Sequence, residues 1–147
     1  MVGRGSSHTQ DTVLRALERA VRVAPERVLF DFSGDQYSYG EVDRLTNRLA
    51  RSLRQLGVAE GDTVTTMFDN NIDGVIVWLA INKLGAISVP LNTALRGDFL
   101  RHQVADAKAA IVLCEGAYVE RIAAVSADLP ELDLILYRGT LGGDADG

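Results

Sequence analysis

The sequence predicts an α/β fold, with helices and strands alternating into a largely parallel sheet after one early β-hairpin. Three observations predict it. Segments with apolar residues at helical spacing alternate with short β-branched runs along most of the chain. One long helix is marked at both ends, by a capping signal and by a glycine. The length of 147 residues and a hydrophobic content of 47% suit one substantial core, so one domain is the default.

The first helix is read over Asp11 to Ala24, where Val13, Leu14, Leu17, Ala20 and Val21 share one face and Arg15, Glu18, Arg19 and Arg22 oppose them. Pro25 ends it. Arg27 to Phe32 alternates as a strand, Ser33-Gly34-Asp35 supplies a turn, and Gln36-Tyr37-Ser38 returns as the second arm of a hairpin. Ser38 and Glu41 form a capping box, which starts a helix at Tyr39. Val42, Leu45, Leu49, Leu53 and Leu56 mark its buried face, Arg44, Arg48, Arg51 and Arg54 its wet one, and Gly57 is the C-cap.

Thr63 to Phe68 is rich in β-branched residues and reads as a buried strand. Asp69-Asn70-Asn71 offers caps for a helix over Ile72 to Leu84, apolar nearly all round through Val75, Ile76, Val77, Trp78, Leu79 and Ile81, and therefore expected to be enclosed. Gly85 closes it. Ala86 to Val89 is the next strand, terminated by Pro90, which cannot donate to a ladder. A shorter helix over Asp98 to Asp106, a strand over Ala109 to Leu113, a helix over Tyr118 to Ala124 and a strand over Leu132 to Tyr137 complete the alternation. Residues 1–10 are expected to be disordered, 11–138 to form the domain, and 139–147 to be a frayed tail.

Composition excludes several functions. A formal net charge of -5 opposes nucleic-acid binding, which depends on Lys and Arg displacing counterions. Ile72 to Leu91 is the most apolar stretch, but Asp73, Asn82, Lys83 and two glycines interrupt it, so no transmembrane segment is expected. The N-terminus lacks the continuous apolar core of a secretory signal, and the single cysteine, Cys114, fits a reducing, cytoplasmic setting. Cys114 lies in the apolar run Ala109 to Cys114 with no base nearby, which reads as core packing rather than a nucleophile. His8 and His102 are far apart with no ligand-like cluster, so no metal site is assigned, and His102 is read as a solvated residue on its helix. Asp69 and Asp73 are read as caps and helix-dipole partners rather than as paired acids.

Three segments together carry a resemblance. They are Tyr37-Ser38-Tyr39-Gly40-Glu41-Val42, the connection Gly57-Val58-Ala59-Glu60-Gly61-Asp62-Thr63-Val64, and the run from Ile81 through Lys83-Leu84-Gly85-Ala86 to Pro90-Leu91-Asn92. In order and spacing they resemble the adenylate-forming (AMP-dependent) synthetase and ligase superfamily, over about Asp11 to Tyr137, which is the opening part of a family member. Asn92 to His102 looks most like the acyl-CoA synthetase branch, with its fatty-acid and crotonobetaine or carnitine CoA ligases. The resemblance implies the N-terminal subdomain of that fold. It also implies a reaction in which a carboxylate attacks the α-phosphate of ATP and coenzyme A then takes the acyl group, with ATP, magnesium and coenzyme A expected for full-length members.

The chemistry's residues are not found here. Gripping a triphosphate calls for a glycine- and hydroxyl-rich loop with a lysine, and the nearest composition, Gly139-Thr140-Leu141-Gly142-Gly143, has no following lysine and runs into Asp144 and Asp146. No catalytic, cofactor-binding or metal residue is therefore assigned, and no cofactor is expected on this chain. The leading expectation is an N-terminal fragment of an AMP-forming acyl-CoA synthetase, inactive alone, whether a natural truncation, a split gene product or an incomplete gene model. Two others stay open: a non-catalytic module that pairs with complementary synthetase subdomains or with itself, and a small flavodoxin-like nucleotide-binding domain, for which a glycine-rich turn after the first strand is lacking.

Overall fold

The computed structural model describes residues 12–142, which divide into two compact units after Arg44. The expectations for residues 1–10, including His8, and for the tail beyond 142 lie outside the described residues.

The first unit holds helix α1 (Val13–Val23), a hairpin of β1 (Val28–Phe32) and β2 (Asp35–Ser38), and the start of α2 (Tyr39–Gln55). Thr12 caps α1 by accepting from the Arg15 N–H at 3.3 Å. The hairpin turns tightly because Ser33 and Gly34 both have positive φ, 56° and 96°, as a two-residue loop between right-twisted strands requires. Asp31 fastens the turn, accepting from the Gly34 N–H at 2.9 Å and from Gln36 Nε2 at 3.1 Å. Those bonds, Gln36 first, hold the Asp31 carboxyl below its ordinary value. Half of the expected capping box forms: the Glu41 N–H donates to Ser38 Oγ at 3.2 Å, whereas the Glu41 carboxylate faces Arg44 at 3.9 Å. Gly40 is needed where it stands, because its N–H bonds the Pro25 carbonyl at 2.9 Å and a Cβ there would lie 3.3 Å from Pro25.

The second unit is a four-stranded, wholly parallel sheet of β3 (Thr63–Met67), β4 (Ile87–Pro90), β5 (Ile111–Glu115) and β6 (Leu134–Arg138), in the order β4-β3-β5-β6. Helices α3 (Ile72–Lys83), α4 (Gly97–Ala107) and α5 (Val119–Ser126) connect the strands, with a single 3-10 turn, Gly116–Tyr118, ahead of α5. Alternation along the strands feeds two cores. Val64, Ile111 and Leu113 pack with Leu53 of α2 and with Val77, Ala80 and Ile81 of α3. Met67, Val112 and Cys114 pack with Leu100 and Val104 of α4 and Ile122 of α5. The expected α/β class, parallel sheet and early hairpin are thus present.

Several boundaries differ, for local reasons. Pro90 lies inside β4, paired with Thr66, because β4 is an edge strand whose missing N–H costs no ladder bond. The strand expected from Ala109 begins at Ile111, since Lys108 leaves α4 in the left-handed conformation (φ 49°) and the Ala110 carbonyl accepts from Leu134 N–H instead. The helix expected from Tyr118 is a 3-10 turn followed by α5 from Val119, and the strand expected from Leu132 starts at Leu134, because Leu132 N–H turns back to Leu129 O. Helix α3 is not fully enclosed: Trp78 is 42% exposed. A helix laid on one side of a sheet buries the faces toward the strands and its neighbour helix, and α3, apolar all round, keeps its remaining side open.

Candidate functional site

In a parallel sheet the carboxyl ends of all strands fall on one side, where such folds place their ligands. Here that side gathers Phe68 to Asn71 after β3, Leu91 to Thr93 after β4, Glu115 at the end of β5 and Arg138 at the end of β6. Glu115 and Arg138 stand in register.

A polar network joins these loops. Glu115 Oε1 accepts from the Asp69 N–H at 3.0 Å and from Asn71 Nδ2. Asn71 in turn caps α3, its Oδ1 accepting from Asp73 N–H at 3.0 Å and Gly74 N–H at 3.1 Å. Tyr118 OH donates to Asp69 Oδ1 at 2.7 Å, and the Arg121 guanidinium lies 5.0 Å from the Tyr118 ring while Nη1 donates to Thr93 O at 2.5 Å. Arg138 forms an ion pair with Asp73.

Asn71, rather than Asp69, is therefore the cap among the candidates, while Asp73 stands in the first turn of α3 as the dipole partner expected. Asp69 receives the tyrosine and Asp73 receives Arg138, because the strand ends bring Tyr118 and Arg138 close enough to compete for those carboxylates. Sequence reasoning passed over Glu115, Tyr118, Arg121 and Arg138. The usable signal was positional: once the sheet is read as parallel, the residue ending each strand belongs to this edge.

Burial, and then the bond to Asp69, raises Tyr118 above its ordinary value, so it stays protonated and donates. Cys114 is fully buried, and burial first, then the neighbouring Glu115, pushes its thiol up to about 11, which fits the packing role expected of it. His102 is largely exposed and lies 3.4 Å from Asp106 on its own helix, as a solvated residue does. Among the described residues no group of three or more His, Cys, Asp or Glu could hold a metal ion.

Two hollows flank the network. A cleft of about 250 Å³ opens between α3 and the β3–β4 edge, with Trp78, Phe68 and Pro90 among its walls. An apolar groove of about 350 Å³ runs along Leu49, Leu53 and Leu56 of α2 toward Leu136 and Tyr137 of β6.

Residues 17–144 match the model of a family described as AMP-binding enzyme. The chain belongs to the AMP-binding enzyme family. Among the family's proteins it is 33% identical over 119 residues to a medium/long-chain-fatty-acid–CoA/3-oxocholest-4-en-26-oate–CoA ligase of Mycolicibacterium smegmatis, an alignment covering 81% of this chain and 22% of the ligase. It is 31% identical over 122 residues to surfactin synthase subunit 2 of Bacillus subtilis, covering 83% of this chain and 3% of that protein. Among solved structures, the inhibitor-bound N-terminal domain of FACL13 from Mycobacterium tuberculosis superposes with a TM-score of 0.78 at 25% identity, over 85% of this chain and 33% of that one. The chain thus spans about a fifth of the ligase and a third of that domain, and its two-sheet architecture is that of the N-terminal part of adenylate-forming ligases. Among the described residues no helix is long and apolar enough to cross a membrane.

The family motifs sit where the chain turns. The Gly57–Val64 connection leads from α2 into β3, and Gly57 and Gly61 have φ of 97° and 86°. In the third motif, Lys83 Nζ donates to Asn47 Oδ1 at 2.8 Å and Gly85 turns the chain at φ 71°. Each secures an element to its neighbour.

Proposed function

We propose that the chain serves as the N-terminal platform of an AMP-forming acyl-CoA ligase, folding and holding the strand ends against which the nucleotide-binding and acyl-binding parts assemble, and that it does not activate an acid by itself. The observation that carries this reading is the 33% identity to the M. smegmatis ligase across 119 residues, joined to a sequence with no glycine- and hydroxyl-rich loop bearing a lysine. The carboxyl edge also suits a triphosphate poorly. It presents Asp69, Asp73 and Glu115, and its arginines are already engaged, Arg138 with Asp73 and Arg121 with Thr93 O and the Tyr118 ring, which disfavours a polyanion there. ATP, magnesium and coenzyme A are therefore assigned to complementary parts of a complete ligase. In that setting the chain's own work is to keep Asn71 capping α3 and Glu115 fixing the β3–α3 turn.

The apolar groove beside α2 and β6 favours assembly with such complementary subdomains, because uncovered apolar surface of this kind marks an interface. A chimaera tests the reading: this chain replaces the matched 119 residues of the M. smegmatis ligase. Fatty-acid-dependent release of pyrophosphate is expected from the chimaera and not from the 147-residue chain alone. Turnover by the isolated chain, or a folded chimaera with none, contradicts it.

A further inference from the structure

The two edges of the four-stranded sheet are finished differently. β4 spans four residues and ends in Pro90, a short length and a residue that both blunt an edge against pairing. β6 spans five residues, Leu134-Ile135-Leu136-Tyr137-Arg138, with neither proline nor lysine among them. Its outer side meets no strand among the described residues.

The main chain of β6 is arranged to take one. The Leu134 N–H donates to Ala110 O at 3.0 Å, on the β5 side. Successive residues of a strand turn their N–H and C=O groups to opposite sides, so Leu134, Leu136 and Arg138 bond β5 while Ile135 and Tyr137 present theirs outward. Tyr137 is 51% exposed. Apolar residues along an unblunted row of N–H and C=O groups make a template for another strand.

Charge selects the occupant. The strand is preceded by Glu131 and Asp133 and closes on Arg138. A second copy running antiparallel sets this acidic start against the basic end, twice over, whereas a parallel copy sets like charge against like. Arg138 has donors to spare, because its side chain is 68% exposed beside Asp73 and a guanidinium carries five N–H groups. An antiparallel pair related by a two-fold axis also closes, as a dimer must.

We propose that β6 is a self-association edge, at which a second copy of this chain adds its own β6 antiparallel about Leu136. The two four-stranded sheets then become one. Ile135 of each copy faces Tyr137 of the other and exchanges main-chain hydrogen bonds with it. Leu136 meets its own counterpart on the α2 side, with Cα atoms about 4.5 Å apart as in other pairs not joined by hydrogen bonds. The apolar grooves of the two copies, each reaching Leu136 and Tyr137, come side by side there. The inference rests on the strand edge and not on the ligase reading.

Sedimentation equilibrium of the full 147-residue chain is expected to give the mass of one chain when dilute and of two when concentrated. Ile135→Pro removes an outward N–H that β5 does not use, so the variant is expected to fold, by circular dichroism, and to keep the single-chain mass. Tyr137→Lys puts a charge on the same edge with the same expected result, and decides if the proline variant does not fold. Leu136→Cys tests the register. Oxidation is expected to join two copies through it, because a Cα separation of about 4.5 Å suits a disulfide. Ile135→Cys, opposed by Tyr137, is expected not to crosslink, and the native Cys114 is fully buried. A single-chain mass at every concentration, a dimer that persists in either folded edge variant, or equal crosslinking from positions 135 and 136 overturns the proposal.

Discussion

At the amino end of the four-stranded sheet the chain is held backbone to backbone, whereas at the carboxyl end it is held by side chains. On the first side the Gly61 N–H donates to Gly85 O at 3.0 Å and the Ile87 N–H donates to Asp62 O at 2.7 Å. On the other, Glu115, Asn71, Asp69, Tyr118 and Arg138 bridge three loops. The difference explains what a family resemblance carries. Turns made of backbone demand particular residues, such as glycine at positive φ, and leave a recognisable string in the sequence. A side-chain network needs only compatible partners at strand ends, and it leaves none.

The contrast breaks most visibly in the core beneath the third motif. Ile81 is fully buried between α3 and the sheet, and Ile81→Ala is expected to cost about 2 to 5 kcal/mol in urea unfolding. A loss under 1 kcal/mol would mean that α3 is not anchored there. Next comes the amino end itself. Gly85 has φ 71°, and an added Cβ would fall 2.9 Å from Glu60 Cγ, a flexible side chain that is able to move. Gly85→Ala is therefore expected to cost about 1 to 2 kcal/mol, chiefly as backbone strain, and an unchanged midpoint would remove the glycine's conformational role.

At the carboxyl end the expected effects are smaller, because water can replace part of what is lost. Glu115→Ala removes the acceptor of the Asp69 N–H and of the Asn71 amide and is expected to cost about 1 kcal/mol. Faster hydrogen exchange at the Asp73 and Gly74 amides, which Asn71 caps, is its specific signature. Unaltered exchange there would separate Glu115 from the helix cap.

Cys114 sharpens the same comparison through pH. Its thiol is held protonated in the fold, up to about 11, against about 8.5 in an unfolded chain. The folded state binds this proton more tightly, so the contribution is whole below about pH 8.5 and is lost as pH rises toward 11. Iodoacetamide at pH 8 is expected to label Cys114 slowly in the folded chain and quickly in urea. Equal rates would place the thiol outside the core.

Much of the fold was legible because its signals are local and repeated. The α2 stripe of Leu45, Leu49 and Leu53, the Ser38 cap and the Gly57 stop each point to the same helix, which runs Tyr39–Gln55. The shifts at β5 and β6 came from backbone events with no residue signature, such as Lys108 adopting φ 49°. The exposure of Trp78 was hidden for another reason. Periodicity tells which faces are apolar but not how many layers are present to cover them. The polar edge was hidden because Asp69 and Glu115 are 46 positions apart, and only the parallel pairing of β3 with β5 brings them together.

The most direct test of the account is calorimetric titration of magnesium–ATP into the purified 147-residue chain. With the motifs serving the fold and an acidic strand edge in place of a phosphate cradle, no saturable heat is expected at millimolar nucleotide. Saturable binding of one nucleotide per chain would contradict it.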